Sequence, residues 1–193
     1  MSLKKRLKKI KGYRDVIDFA PACRKYFVLN SFDGVLTALG VILGAFAVGE
    51  LSKGIVMGAA VGAGIALAMS GIVSAYEVER LENKMRLQKI EKAMMKKTCE
   101  YHLNASRFAT TITAIVYSIS AMATVFVPVI PFFIFEPTIA MYVAIFVTLL
   151  FLFIIGAYMG SLVKEKIFFS GLRFTFAGIG TAVVLYLIKL FLL

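Results

Sequence analysis

Five long, predominantly apolar runs constrain this chain more than any motif in it: residues 27–49, 54–76, 108–130, 138–161 and 168–192. A helix rising ~1.5 Å per residue needs roughly 20 apolar residues to cross the hydrocarbon of a bilayer, and each run is long enough. The connections are short or strongly charged. Glu50-Leu51-Ser52-Lys53 joins the first two runs as a turn, 131–137 does the same for the third and fourth, and Lys164-Glu165-Lys166 separates the last two. In lipid every backbone polar group needs an internal partner, so such runs read as α-helices. The expected fold is an all-α integral membrane protein with five transmembrane helices.

Composition supports the same reading. Hydrophobic residues make up 60% of the 193 and charged residues only 17%, whereas soluble domains are roughly 45–50% apolar. The charges gather in residues 4–25, 77–107 and 164–173. This organisation implies one membrane domain, 27–193, preceded by a basic, partly amphipathic cytoplasmic segment, 1–26. The net charge of +11 flanks apolar spans, a pattern that reports membrane orientation and not nucleic-acid binding. No base-reading module is present, so no nucleic-acid partner is expected; the expected contact of these cations is anionic lipid headgroups.

Nearly all of the 22 basic residues fall in the N-terminal tail, the 77–107 loop and the 162–173 loop, while the turns at 50–53 and 131–137 hold Lys53 alone. Positive charge stays inside, so the N-terminus and those loops are expected in the cytoplasm and the C-terminus outside. The expected location is the cell (plasma) membrane, as a multi-pass protein.

The tail opens with Lys4, Lys5, Arg6, Lys8, Lys9 and Lys11, a solvated basic start. Leu7, Ile10, Val16, Ile17 and Phe19 then suit an interfacial amphipathic helix that Pro21 ends or bends. About 27 residues, many charged, precede the first apolar run, which is not the pattern of a secretory signal. Residues 77–107 hold strong helix formers with no Gly or Pro, Leu87, Ile90 and Met94 at helical spacing, and Glu82 and Arg86 as an i, i+4 pair. They are expected to form a short cytoplasmic helical insert that continues the second span and turns back to the third. Cys23 and Cys99 fall on the cytoplasmic side, where ordinary free thiols are expected.

Gly40 and Gly44 in the first run, and Gly58 and Gly62 in the second, are small-xxx-small pairs. Such pairs let helix backbones approach closely in lipid, so this hairpin is a candidate packing or dimerisation surface. Glycine is also common in membrane helices without that role.

An ionisable side chain within a span costs several kcal/mol unless it is compensated, and Asp33 is the main case. It lies about two turns inside the cytoplasmic end of the first run, after Asn30 and Ser31. The plainer alternative is an interfacial helix cap. Counting equal distances from the 50–53 turn places Met69 or Ser70 at the depth of Asp33. A carboxylate and a thioether at one depth are donors for a borderline divalent metal, although methionine in a membrane helix more often simply packs. Glu77 and Glu79 follow, with Ser70, Ser74 and Glu77 on one polar stripe that suits the wall of an ion path. The alternative for these carboxylates, favoured for Glu82, is pairing with Arg80, Lys84 and Arg86. His102 is the only histidine, a poor metal signal by itself. There is no nucleotide-binding loop, Ser-His-Asp set or paired-carboxylate arrangement, so the chain is not expected to be an enzyme.

These residues resemble the vacuolar iron transporter family. VLNSFDGVLTALGVILGAFAVG (28–49) is similar to the family's first span, and GIVSAY (71–76) to the end of its second. FVPVIPFF (126–133) resembles its Pro-punctuated third span, and IIGAYMGSL (154–162) and SGLRFTFAGIG (170–180) its fourth and fifth. Asp33 matches a family metal position. The sequence departs from the pattern elsewhere: Phe32 replaces an Asn, the family's second-span Met falls on Leu67, and its Gly-Glu falls on Ser70-Gly71. The family's Glu-rich cytoplasmic domain is reduced here to a short segment richer in Lys and Arg than in Glu.

The resemblance implies a homodimer whose path lies near the two-fold axis, lined by the first two spans. The expected activity is secondary transport exporting a divalent cation, Fe²⁺ or Mn²⁺, from the cytoplasm against protons. Those ions are the substrate, and no cofactor is expected. In this reading Glu77 and Glu79 collect the cation, Asp33 and its symmetry mate hold it, Met69 and Asn30 are neighbours, and Asp33 can take the returning proton. The alternative is a non-transporting membrane scaffold or interaction protein that keeps the fold.

Overall fold

The computed structural model describes residues 20–95 and 100–192. These form six helices: α1 (Ala20–Ala47), α2 (Lys53–Met94), α3 (Glu100–Val129), the short α4 (Pro131–Ile134), α5 (Pro137–Val163) and α6 (Ile167–Leu192). Among the described residues there is no strand. Five helices are long and apolar enough to cross a membrane. The expected all-α, five-span architecture is therefore present. The proposed amphipathic helix before residue 20, the basic cluster within it and Cys99 lie outside the described residues.

Helix ends follow local chemistry. α1 is described from Ala20 and carries Pro21 near that end. The cap reading of Asp33 fails because thirteen described residues of α1 precede it. α1 stops in a Schellman motif. Gly49 takes a left-handed φ of +79°, the Glu50 N–H donates to the Ala45 carbonyl at 3.0 Å, and the Gly49 N–H donates to Phe46 at 3.2 Å. Three residues later the Ser52 hydroxyl accepts the Ile55 N–H at 3.3 Å, capping α2.

α2 runs unbroken for 42 residues, so the second span and the charged insert are one helix, as the lack of Gly and Pro implies. The 131–137 connection is less simple than a turn. Pro131 at the first helical position, with its fixed φ, starts the one-turn helix α4, closed by the Phe135 N–H on the Pro131 carbonyl at 2.9 Å. Glu82 and Arg86 make no ion pair among the described residues; Glu77 and Arg80 pair instead at 3.1 Å.

The chain divides into two compact units, Met1–Phe27 with Met69–Ser118, and Val28–Ala68 with Ile119–Leu193. In the first, Tyr26 meets Tyr117 edge-on at 5.6 Å, and the Tyr117 ring also fills the space over Gly71, 2.5 Å from where a Cβ would stand. Cys23, a free thiol, lies 3.8 Å from the Thr113 hydroxyl, and the Asn83 amide donates to Thr110 at 3.0 Å.

In the second unit, Ile42, Ala45, Val56, Phe132, Ala140, Met141 and Ala144 form one apolar cluster, and Ala38, Ala60, Val125 and Val129 another. α5 and α6 pack closely along small residues. A Cβ on Gly156 would stand 2.7 Å from the Ser170 carbonyl oxygen, and one on Gly160 2.6 Å from the Ser170 Cβ. Without a hydrophobic force between helices in lipid, this close approach is what makes the pair cohere.

Candidate metal-transport site

The apolar face of α1 determines where Asp33 points. Asn30, Ser31, Gly34, Val35 and Ala38 are buried, while Asp33 is exposed. Gly34 permits that burial: a Cβ there would meet the Thr124 hydroxyl and stand 2.7 Å from the Ala121 carbonyl. α1 thus presses its Asn30–Gly34 side against α3 and leaves the Asp33 carboxylate on the outside of the chain. A carboxylate facing lipid would be costly unless it is compensated.

The other candidates are divided between the two units. Asn30, 1% exposed, is inside the second unit with Asp33. Met69, 62% exposed, belongs to the first unit, as do Glu77 and Glu79. Glu77 accepts two hydrogen bonds from Arg80 Nη1, at 3.1 and 3.3 Å. Glu79 is half-buried and lies within electrostatic reach of the Tyr26 hydroxyl. Tyr26 is a contact that sequence reasoning missed, since nothing in its spacing relates it to Glu79. The Ser70, Ser74 and Glu77 stripe is exposed as expected, but the Ser74 hydroxyl bonds back to the Ser70 carbonyl at 2.9 Å. Its hydrogen is therefore engaged by its own helix, leaving oxygen lone pairs as acceptors.

Among the described residues no group of three or more His, Cys, Asp or Glu is gathered closely enough to hold a metal ion. His102 is exposed near the start of α3. Between α2 and α3 lies a pocket of 380 Å³ whose charged lining is Arg80, Lys84, Arg107 and Glu91. Its cationic lining would repel a divalent ion, so the insert does not gather cations there. Among the described residues, Asp33 is not part of any such group of His, Cys, Asp or Glu.

The glycines divide into two classes. Gly34, Gly71, Gly156, Gly160, Gly171 and Gly178 are each crowded by neighbours within the chain, while Gly40, Gly44, Gly58 and Gly62 face open space. Apart from adjacent backbone, no described residue stands within 4 Å of a Cβ placed on either of the two pairs singled out for helix packing.

Comparison with known proteins adds two findings. A model of the VIT family matches residues 72–189. Uncharacterized protein MJ0645 of Methanocaldococcus jannaschii is 33% identical over 171 residues, which cover 86% of this chain and 87% of that relative. The family-model match includes Glu77 and Glu79 and begins after Asn30, Asp33 and Met69.

Proposed function

Because the chain belongs to the VIT family, a family of membrane metal-ion transporters, we propose that it exports Fe²⁺ or Mn²⁺ from the cytoplasm in exchange for protons. The observation that carries this reading is Asp33, an exposed carboxylate thirteen residues into an apolar membrane helix, turned away from its own chain's core. An anionic oxygen ligand there offsets the charge of a borderline divalent ion.

The site is completed by a second copy. Gly40, Gly44, Gly58 and Gly62 offer a face on which two α1–α2 hairpins can approach closely. Asp33 and its symmetry mate then share the cation, and Glu77 and Glu79 attract the ion from the cytoplasmic end of α2. Asp33 takes the proton when the metal leaves. The test is metal uptake into proteoliposomes under a proton gradient, wild type against Asp33→Ala. Uptake by wild type alone supports the proposal, and equal uptake by both removes Asp33 from the path.

A non-transporting scaffold is the second reading. The cationic lining at Arg80, Lys84 and Arg107, where a metal collector needs carboxylates, favours it. Wild-type protein that moves neither metal under a proton gradient would establish that reading.

A further inference from the structure

A second cavity lies wholly within the unit that holds α5 and α6. It is a crevice of 540 Å³ between the C-terminal half of α1, the N-terminal half of α5 and the C-terminal half of α6. That volume is within the range of roughly 300–1,000 Å³ usual for ligand sites. Leu43, Phe46, Met141, Ile145, Leu149 and Val183 give its walls their character, and Lys189 is the one charged residue among its described lining. It is an open crevice: Tyr142 and Tyr186 at its edge are each 64% exposed and Val183 is 51% exposed.

Its length is that of half a bilayer. Along α6 the lining runs from Gly178 to Lys189, about 16 Å at the helical rise. Half of a ~30 Å hydrocarbon core is about 15 Å. The charge sits at one end only. Lys189, three residues before the end of α6, places its Nζ 3.7 Å over the centre of the Phe46 ring. It makes no ion pair among the described residues. A cation–π contact holds an ammonium in place but supplies no counter-charge.

We propose that this crevice binds a membrane phospholipid, with an acyl chain laid between α1, α5 and α6 and the anionic phosphate on the Lys189 ammonium. Charge complementarity and one-leaflet length select this occupant. A second copy is the poorer fit, because the open glycines Gly40, Gly44, Gly58 and Gly62, which favour close helix approach, do not line the crevice. The lipid would tie α6 to the hairpin and fill space that side chains leave empty.

The test uses the full-length protein in mild detergent, supplied with phosphatidylglycerol, phosphatidylcholine of the same chains, or inorganic phosphate. Retention is read by native mass spectrometry, and protection by thermal unfolding. Phosphatidylglycerol should be retained and protective, phosphatidylcholine less so, and inorganic phosphate without effect. Lys189→Gln should weaken retention of phosphatidylglycerol by about fivefold, the scale of one interfacial charge, while Lys189→Arg keeps it. Ala182→Phe, which fills the crevice, should reduce retention of both lipids. The Gln and Arg variants decide the matter if the Phe variant fails to fold. Equal retention of both lipids by wild type and Lys189→Gln overturns the proposal, as does protection by phosphate alone. A cross-link in native membranes between two copies through Ala182→Cys, absent from wild type, also overturns it by placing protein in the crevice.

Discussion

Arg80 Nη1 donates to both carboxylate oxygens of Glu77, at 3.1 and 3.3 Å, from three residues further along the same helix. Both side chains are more than half exposed, and an exposed pair contributes about 1 kcal/mol at most. The arginine also offsets the attraction Glu77 can exert on an approaching cation. Glu77→Gln should therefore lower metal uptake by only about twofold, the scale of ~0.5 kcal/mol, with Glu79 still present. Glu82→Gln should leave uptake unchanged. Initial rates in proteoliposomes check both, and a tenfold loss in Glu77→Gln would place that carboxylate directly on the path.

The α5–α6 seam predicts a contrast between glycines. Gly156→Ala forces a Cβ to 2.7 Å from the Ser170 carbonyl and 2.9 Å from the Gly171 Cα, both backbone atoms. Such overpacking costs about 1–3 kcal/mol. Gly44→Ala meets open space within the chain, so by the same measure it should change stability by less than about 0.5 kcal/mol. Thermal unfolding in detergent of the two variants beside wild type measures the difference. Equal losses would mean that the seam yields more easily than its backbone contacts imply.

The five spans were legible in the sequence because lipid imposes one rule, a long apolar run with internally bonded backbone, and nothing tertiary can override it. Caps refine their edges: Gly49 and Ser52 set the α1–α2 turn by chemistry visible in the sequence. Which glycine pair packs where was not legible. Gly156 and Gly160 have the same spacing as Gly40 and Gly44, yet the first pair is filled by Ser170 and the second by none of the described residues. Spacing reports a helix face, and only the fold says what meets it. Asp33 could be found from the sequence as an ion inside a span, whereas the Tyr26–Glu79 contact joins residues far apart in sequence with no periodic relation.

Orientation gives the next prediction. With nearly all Lys and Arg in the tail and the two charged loops, the α2–α3 connection belongs inside and the α4 region outside. In a background without native cysteines, a membrane-impermeant thiol reagent applied from outside should label Phe135→Cys and spare Glu100→Cys. The reverse pattern overturns the orientation and turns the proposed export into import.

Assembly follows from the open glycines. Gly44→Leu puts a large side chain on a face that none of the described residues covers, so each copy should keep its helices while association weakens. Cross-linking in native membranes, with helicity checked by circular dichroism, separates the two effects. A wild-type chain that is monomeric both in membranes and in mild detergent would leave those glycines to lipid and remove the second Asp33 from the site.

The last prediction concerns Asp33 itself. Asp33→Asn keeps the size and a carbonyl ligand but removes the charge that offsets a divalent ion. The side chain is exposed and none of the described residues forms an ion pair with it, so folding should be almost unaffected, within about 0.5 kcal/mol. Association through the glycine face should be unaffected or slightly stronger, since two facing carboxylates repel when no metal lies between them. Fe²⁺ and Mn²⁺ uptake should fall at least tenfold, which corresponds to about 1.4 kcal/mol of lost interaction. The variant should also lose metal-coupled proton movement, because an amide cannot take up the returning proton at neutral pH. Uptake and internal pH, followed together in the same proteoliposomes, separate these effects. Loss of proton coupling with uptake retained would make Asp33 the proton carrier alone. Retention of both would place the transported cation elsewhere.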